Sequence, residues 1–365
     1  MACPTLKPTP EPQKLGSTSV CITGVGTALP KHRWTQQETY QLLARHFPYY
    51  RSSRVERMFL QSEIETRHFA RPPETYDVGA TAGQLHELFL AEAPRLAVRA
   101  AELALERGGL ASNDITCLVV ATCTGYLCPG LTAHVIKELG LRSDIQRADI
   151  VGMGCAGAMP ALQRGYDHVR SQAGGKALVV AVEVCSACFY ADDSLETVVG
   201  NIICGDGAAA VVLEGAATQA TAPEILGSHS VVDTRWMNAV GLQNLEGKQR
   251  IILSKELRKA AGPAVVAVVD GLLAKYALKR SDIAHWVFHA GGAAVLSNIE
   301  ACLEFGNGEL AASREVFRRH GNMSSPTTLF VLDEIQRTAR PQPGDLGVAL
   351  ALGPGLATEG ALLKW

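Results

Sequence analysis

The chain repeats itself once. Residues 97–115, AVRAAELALERGGLASNDI, lie over residues 265–283, VVAVVDGLLAKYALKRSDI, at an offset of 168 without a gap. Both read as a helix followed by the same Asp-Ile step into a strand, TCLVVATCTG in one copy and AHWVFHAGG in the other. A second pair follows at offset 167: GCAGAMPAL from Gly154 over GNMSSPTTL from Gly321. One such match is within reach of chance. Two, in the same order and at nearly the same offset, point to duplication. The period is far too long for a solenoid. It predicts two sister α/β halves, 20–215 and 216–365, that pack pseudo-symmetrically and build a shared site from both.

The textures along the chain agree. From Val20, VCITGVGTALP reads as a strand closed by Gly and Pro. A helical region over 35–47, a mixed basic stretch over 51–67 and a long helix over 88–110 follow. Apolar runs at 115–122, 177–184 and 208–214 read as buried strands. In the second half a helix is expected near 262–277, with strands at 285–290 and 347–353. Strands interleaved with helices argue for a layered α/β architecture. The Pro-rich, polar residues 1–19 read as a flexible tail without the apolar core of a signal peptide.

Composition narrows the function classes. Of 365 residues, 47% are hydrophobic and 19% charged, which supplies a large core and excludes global disorder. The formal charge is -2, so no basic field exists to hold a nucleic acid. No run of 18 apolar residues is present, and stable membrane insertion is not expected. The ten cysteines sit inside apolar runs rather than in a short, Cys-dense scaffold. That usage suits a reducing cytoplasm, with thiols as small hydrophobes or as reactive groups.

Three residues carry a chemical reading. Cys155, in VGMGCAGAMPAL, falls between a strand-like segment and a helix, where backbone N–H groups would lower the thiol pKa. The same motif also suits a small Cys in a packing turn. His289 ends the apolar run HWVFHA just before Gly291 and Gly292, where catalytic groups sit in open α/β sheets; taken alone it equally suits a core histidine. Asn322 suits a helix N-cap. The repeat, however, sets it opposite Cys155 at matching helix starts of the two halves. Cys, His and Asn together form a nucleophile-activating set, with the imidazole able to pair with a thiolate and the His and Asn donors able to stabilise an oxyanion.

These segments, with GDGAAA at 205–210 and LGPGLATEG at 352–360, resemble the type III polyketide synthases, the chalcone-synthase-like branch of the thiolase superfamily, in their bacterial form. The resemblance runs from ITGVGTALP to the C-terminus. Ala290 stands where the family has Pro in its His-Pro-Gly-Gly turn. The resemblance implies a thiolase-like, five-layered αβαβα fold, a homodimer, and acyl-CoA and malonyl-CoA as substrates with no metal or redox cofactor. It makes Cys155 the nucleophile, and His289 and Asn322 the donors to the malonyl thioester carbonyl. It puts Arg54, Arg57 and Ala294 against CoA, with Gln61 at the position of a further family lysine. It lines the substrate pocket with Cys123, Thr124, Cys185, Cys188, Gly200, Cys204, Ile251 and Ser324, and has Cys128 reach across the dimer. Cys185 and Cys188 have the spacing of half a metal site, but no second ligand pair lies near.

Cys204 stands where plant members carry a bulky Phe. The pocket is therefore expected to be wider or to extend into a tunnel, and the product to be an alkylpyrone or alkylresorcinol built on a medium or long acyl starter. Alternatives are aromatic synthesis from malonyl-CoA alone, of the tetrahydroxynaphthalene or dihydroxyphenylacetyl-CoA type, a ketosynthase III-like enzyme of fatty acid synthesis, or a non-catalytic duplicated subunit.

Overall fold

The computed structural model describes residues 19–188, 191–215, 222–245, 247–306 and 308–365. The tail expected over 1–19 lies outside these residues apart from Ser19.

The first half contains strands β1 (Val20–Ala28), β2 (His32–Thr35), β3 (Thr66–Phe69), β4 (Cys117–Thr122), β5 (Gln146–Val151), β6 (Lys176–Glu183) and β7 (Gly207–Gly215). Its helices are α1 (Gln36–His46), α2 (Ser53–Leu60), α3 (Ala82–Gly108), α4 (Leu131–Leu139), α5 (Ala158–Ser171) and α6 (Leu195–Ile203). The second half contains β8 (Glu224–Val232), β9 (Val240–Leu245), β10 (Lys248–Leu253), β11 (His285–Phe288), β12 (Leu346–Gly353) and β13 (Ala357–Lys364). Its helices are α7 (Leu257–Ala274), α8 (Ala293–Leu303), α9 (Ala311–His320) and α10 (Thr327–Thr338). The long helix expected from 88 starts earlier, at Ala82. Thr81 and Gln84 cap it reciprocally, and each supplies a partner to the other's backbone N–H.

Strand pairing repeats between the halves. In the first, β1 is antiparallel to β7, β7 antiparallel to β6, and β6 parallel to β4. In the second, β8 is antiparallel to β13, β13 antiparallel to β12, and β12 parallel to β11. The extra strand β5 extends the first sheet beyond β4. The halves join where Cys21 of β1 pairs with Glu224 of β8, which makes one nine-stranded order among the described residues.

Side chains on the two faces of each strand enter different cores. On β4, Leu118 and Val120 pack outward with α3 and α4, whereas Val119 and Ala121 pack inward. The inward core holds Met159 and Leu162 of α5, Leu329 and Leu332 of α10, and strand residues of both halves, such as Val211 and Leu363. Helices α7 and α8 cover the outer face of the second half. The layers therefore run αβαβα, with α5 and α10 in the middle. Strands buried on both faces explain why they read as continuous apolar runs.

The duplication extends to single hydrogen bonds. Ala111 N donates to Asp114 Oδ2 at 2.8 Å, and 168 residues later Lys279 N donates to Asp282 Oδ2 at 2.8 Å.

Candidate active site

The two central helices begin after equivalent tight turns. Gly154 has φ 53° and opens the short turn Gly154–Ala156 that leads into α5. Gly321 has φ 67° and opens the segment that leads into α10. These left-handed conformations bend the chain so that the next residue of each turn faces the other half. Cys155 Sγ lies 3.9 Å from both Oδ1 and Nδ2 of Asn322.

Asn322 does not cap its helix, because Pro326 occupies the N-cap position of α10. Its Oδ1 accepts from Ser324 N at 2.7 Å, and its Nδ2 donates to Gly291 O at 3.2 Å. Gly291 belongs to the turn after β11 that carries His289. His289 is 5% exposed, and neither of its ring nitrogens has a hydrogen-bond partner. An imidazole buried with both nitrogens unmatched is costly, and such groups call for an explanation.

Burial governs the charge state of the site. It pushes the Cys155 thiol up to about 12, although hydrogen bonds from Ser324 and Asn322 pull the other way. It lowers His289 to about 4. The ligand-free site therefore holds a neutral thiol and a neutral imidazole. This reverses the expectation of a helix-stabilised thiolate. The site desolvates the sulfur, and α5 proper starts three residues further on, at Ala158.

Cys155 and Asn322 line a small apolar cavity of about 60 Å³. Cys123, Thr124, Cys185, Cys188, Cys204, Ile251 and Ser324 line it too, with Val240, Leu242 and Leu253 of the β9–β10 hairpin. Two placements differ from expectation. His289 is not among the lining residues and reaches the site through the Gly291–Asn322 bond. Gly200 on α6 is screened by Ile251, which would sit 3.2 Å from a Cβ added there. Cys128 is exposed on the turn after β4. Leu242, Ile251 and Leu253 of β9 and β10 share the lining of the cavity with Cys204. A second space of about 530 Å³ shares Cys123, Gly154, Val240, Gly241, Leu242 and Pro354 with it and runs past the exposed Tyr126.

The Cys185–Cys188 pair has local partners. Cys188 Sγ lies 3.1 Å from Thr124 O and 2.8 Å from Gln249 Oε1, two acceptors for its one S–H, while Cys185 hydrogen-bonds Cys204. No group of three or more His, Cys, Asp or Glu among the described residues could hold a metal ion. Arg54 and Arg57 are exposed on α2. Ala294 is exposed in the first turn of α8, whose start has no side-chain cap.

The sequence reading missed Glu183. This buried carboxylate accepts from Thr122 Oγ1, Cys123 N, Thr124 N and Thr124 Oγ1 on one side, and from Ser325 Oγ at 2.6 Å on the other. It thus ties the cavity turn of one half to the GNMSS segment of the other. The available signal was a single acidic residue ending the apolar run ALVVAVEV.

The model of the N-terminal domain of chalcone and stilbene synthases matches residues 13–217, and that of their C-terminal domain matches residues 238–365. The chain belongs to this family. It is a type III polyketide synthase, an acyltransferase by chemistry. The 3,5-dihydroxyphenylacetyl-CoA synthase of Streptomyces toyocaensis is 33% identical to it over 354 residues, covering 94% of this chain and 90% of that one. The alpha-pyrone synthesis polyketide synthase-like Pks18 of Mycobacterium tuberculosis is 33% identical over 361 residues, covering 95% and 91%. The solved 1,3,6,8-tetrahydroxynaphthalene synthase of Streptomyces coelicolor A3(2), a bacterial type III polyketide synthase, superposes with a TM-score of 0.89 at 25% identity, covering 94% and 99%. No helix among the described residues of this synthase is long and apolar enough to cross a membrane.

Proposed function

We propose that Cys155 takes an acyl group from a CoA thioester and that His289 and Asn322 bind the thioester carbonyl of malonyl-CoA. The observation that carries this reading is the 3.9 Å approach of the Cys155 sulfur to the Asn322 amide at the wall of an apolar cavity. Loss of carbon dioxide from the malonyl group puts negative charge on its thioester oxygen. Donors held at that oxygen lower the barrier, and each one removed typically costs about 10²–10³ in rate. The carbanion then attacks the acyl-Cys155 carbonyl, the sulfur leaves, and a chain two carbons longer results on CoA. As the acyl group passes from CoA to Cys155, the Cys155 proton goes to the departing CoA sulfur, which leaves as the free thiol. The reaction draws on CoA thioesters alone, without metal or redox cofactor.

Arg54, Arg57 and the uncapped N–H groups around Ala294 are assigned to the CoA phosphates, because exposed cations and a free helix start both attract anions. A homodimer in which Cys128 enters the partner's cavity is part of the same reading, and light scattering of the purified enzyme tests it.

The apolar walls favour an aliphatic starter and hence alkylpyrones or alkylresorcinols. The likeness to 3,5-dihydroxyphenylacetyl-CoA synthase and 1,3,6,8-tetrahydroxynaphthalene synthase favours a second reading, in which malonyl-CoA serves as both starter and extender and the product is aromatic. Intact-mass spectrometry after exposure to acyl-CoAs of graded length, followed by product analysis with malonyl-CoA, decides between them. Adducts on Cys155 from medium or long chains support the first. Consumption of malonyl-CoA alone supports the second. Acylation at a residue other than Cys155 overturns both.

A further inference from the structure

Arg67 on β3 is fully buried, and none of the chemistry above uses it. Burial lowers its pKa only to about 10, so it remains a cation at neutral pH. A buried cation is costly unless its donors are met, and here both terminal nitrogens find acceptors while Nε has none among the described residues. Nη1 donates to Asn201 O at 2.8 Å and to Cys204 O at 2.7 Å, and Nη2 donates to Gln36 Oε1 at 2.7 Å. Gln36 in turn donates from Nε2 to Ile202 O at 2.9 Å.

These acceptors are the last carbonyls of α6 and its C-cap. Such groups have no partner within a helix and carry the negative end of its dipole. Here every one from Gly200 to Cys204 is met. Cys204 N serves Gly200 O, Arg67 serves Asn201 O and Cys204 O, Gln36 serves Ile202 O, and the backbone N of Asn322 serves Ile203 O at 2.7 Å. Gly205 N then returns a bond to Asn322 O at 3.0 Å, so Cys204 and Asn322 form an isolated parallel bridge. The Arg67 stem packs under that bridge, and a Cβ added at Gly321 would meet Arg67 Cδ at 2.9 Å. The backbone of Asn322 is thus located by the end of α6, and the end of α6 is located by Arg67.

We propose that Arg67 is a positioning residue: through the α6 terminus it sets the place of the Asn322 amide opposite Cys155 and so controls malonyl decarboxylation without touching substrate. The proposal rests on the donor role given to Asn322 above. Misplacing such a donor by about 1 Å can cost on the order of 10²-fold in rate.

The test uses the full-length enzyme and two assays, malonyl-CoA decarboxylation and single-turnover acylation of Cys155 followed by intact mass. Arg67→Met is expected to lower the kcat of decarboxylation by about tenfold or more, while KM for malonyl-CoA and the acylation rate stay within about threefold. Arg67→Lys, which keeps the charge but lacks the fork that reaches two carbonyls, should recover part of the rate. If Arg67→Met does not fold, Gln36→Leu removes one arm of the same cap and should show the same order, with decarboxylation falling before acylation. Asn322→Ala, run alongside, separates the two ideas. Unchanged decarboxylation in Asn322→Ala overturns the role of Asn322. A normal rate in the Arg67 and Gln36 variants, with Asn322→Ala impaired, overturns the positioning role alone. An equal fall of both assays in every Arg67 variant overturns it as well, since that is the behaviour of a residue that only holds the fold.

Discussion

The turn at Gly154–Cys155 and the turn at Gly321–Asn322 occupy equivalent places in two halves with the same strand pairing, yet they present different groups. Each begins with a glycine at positive φ and leads into a central helix. One ends in an ionisable sulfur and the other in an amide that never changes charge. The surroundings follow the same split. The sulfur turn packs against Pro354, which would meet a Cβ at Gly154 within 2.4 Å. The amide turn is bonded to the end of α6 through Ile203 O and Gly205 N. The two frames are thus similar, and in the proposed mechanism the difference in one side chain divides the labour between a group that carries the chain and a group that holds the developing charge.

The largest test of that division is a pair of substitutions. Cys155→Ala should leave no acyl adduct and no product, whereas Asn322→Ala should keep the adduct and lower malonyl decarboxylation by about 10²–10³. Intact mass and carbon dioxide release read the two separately. Adduct formation in Cys155→Ala would falsify the assignment of the sulfur turn.

Only the sulfur turn should titrate. With the Cys155 thiol held up at about 12, its thiolate fraction in the ligand-free enzyme rises about tenfold per pH unit through the neutral and mildly alkaline range. Iodoacetamide labelling of Cys155 should therefore climb about 100-fold between pH 7 and 9 without a plateau. A plateau near neutral pH would mean a stabilised thiolate. Stability responds in the opposite range. His289 is held neutral, with its pKa lowered from 6.5 to about 4, so the unfolded chain binds more protons between those values. Stability falls as pH drops through that window, by up to about 3 kcal/mol from this residue. A His289→Phe variant should show a shallower acid limb in urea unfolding between pH 6.5 and 4.

The glycines offer a smaller contrast. Gly154→Ala and Gly321→Ala should each destabilise by at least about 1–2 kcal/mol, because an L residue resists positive φ. Gly321 should lose more. Its ψ of -155° lies in a region that is essentially glycine-only, and its added Cβ would meet the backbone oxygen of Ile203 at 2.5 Å. Denaturant midpoints with unchanged m-values measure both. The smallest effect belongs to the features that stayed alike. Asp114→Ala and Asp282→Ala each remove one equivalent backbone cap and should cost about 0.5–1.5 kcal/mol apiece, nearly equally. Unequal losses would show that the halves have diverged there too.

The strands legible in the sequence were those buried on both faces, such as β4, β6, β7 and β12, because their runs are apolar throughout. β5 and β8 were not legible. Gln146–Val151 alternates exposed and half-buried residues, and EILGSHSVV mixes Gly, Ser and His on a strand whose end is exposed. The pocket residues Cys123, Cys185, Cys188 and Cys204 could be placed by resemblance, but the cavity size could not. It depends on the β9–β10 hairpin, whose Leu242, Ile251 and Leu253 fold in from elsewhere in the chain.

The sequence by itself determined the repeat, the layered α/β class, the family and the identity of the residues at the two turns, since each is written in local pattern or in spacing. Only the tertiary structure decided which hairpin walls the cavity, that the resting thiol and imidazole are neutral, and that Glu183 and Arg67 brace the site. Those properties come from groups far apart in the chain that meet only when the halves close. Burial, which sets both the cost of a charge and the room for a substrate, exists only once that packing is complete.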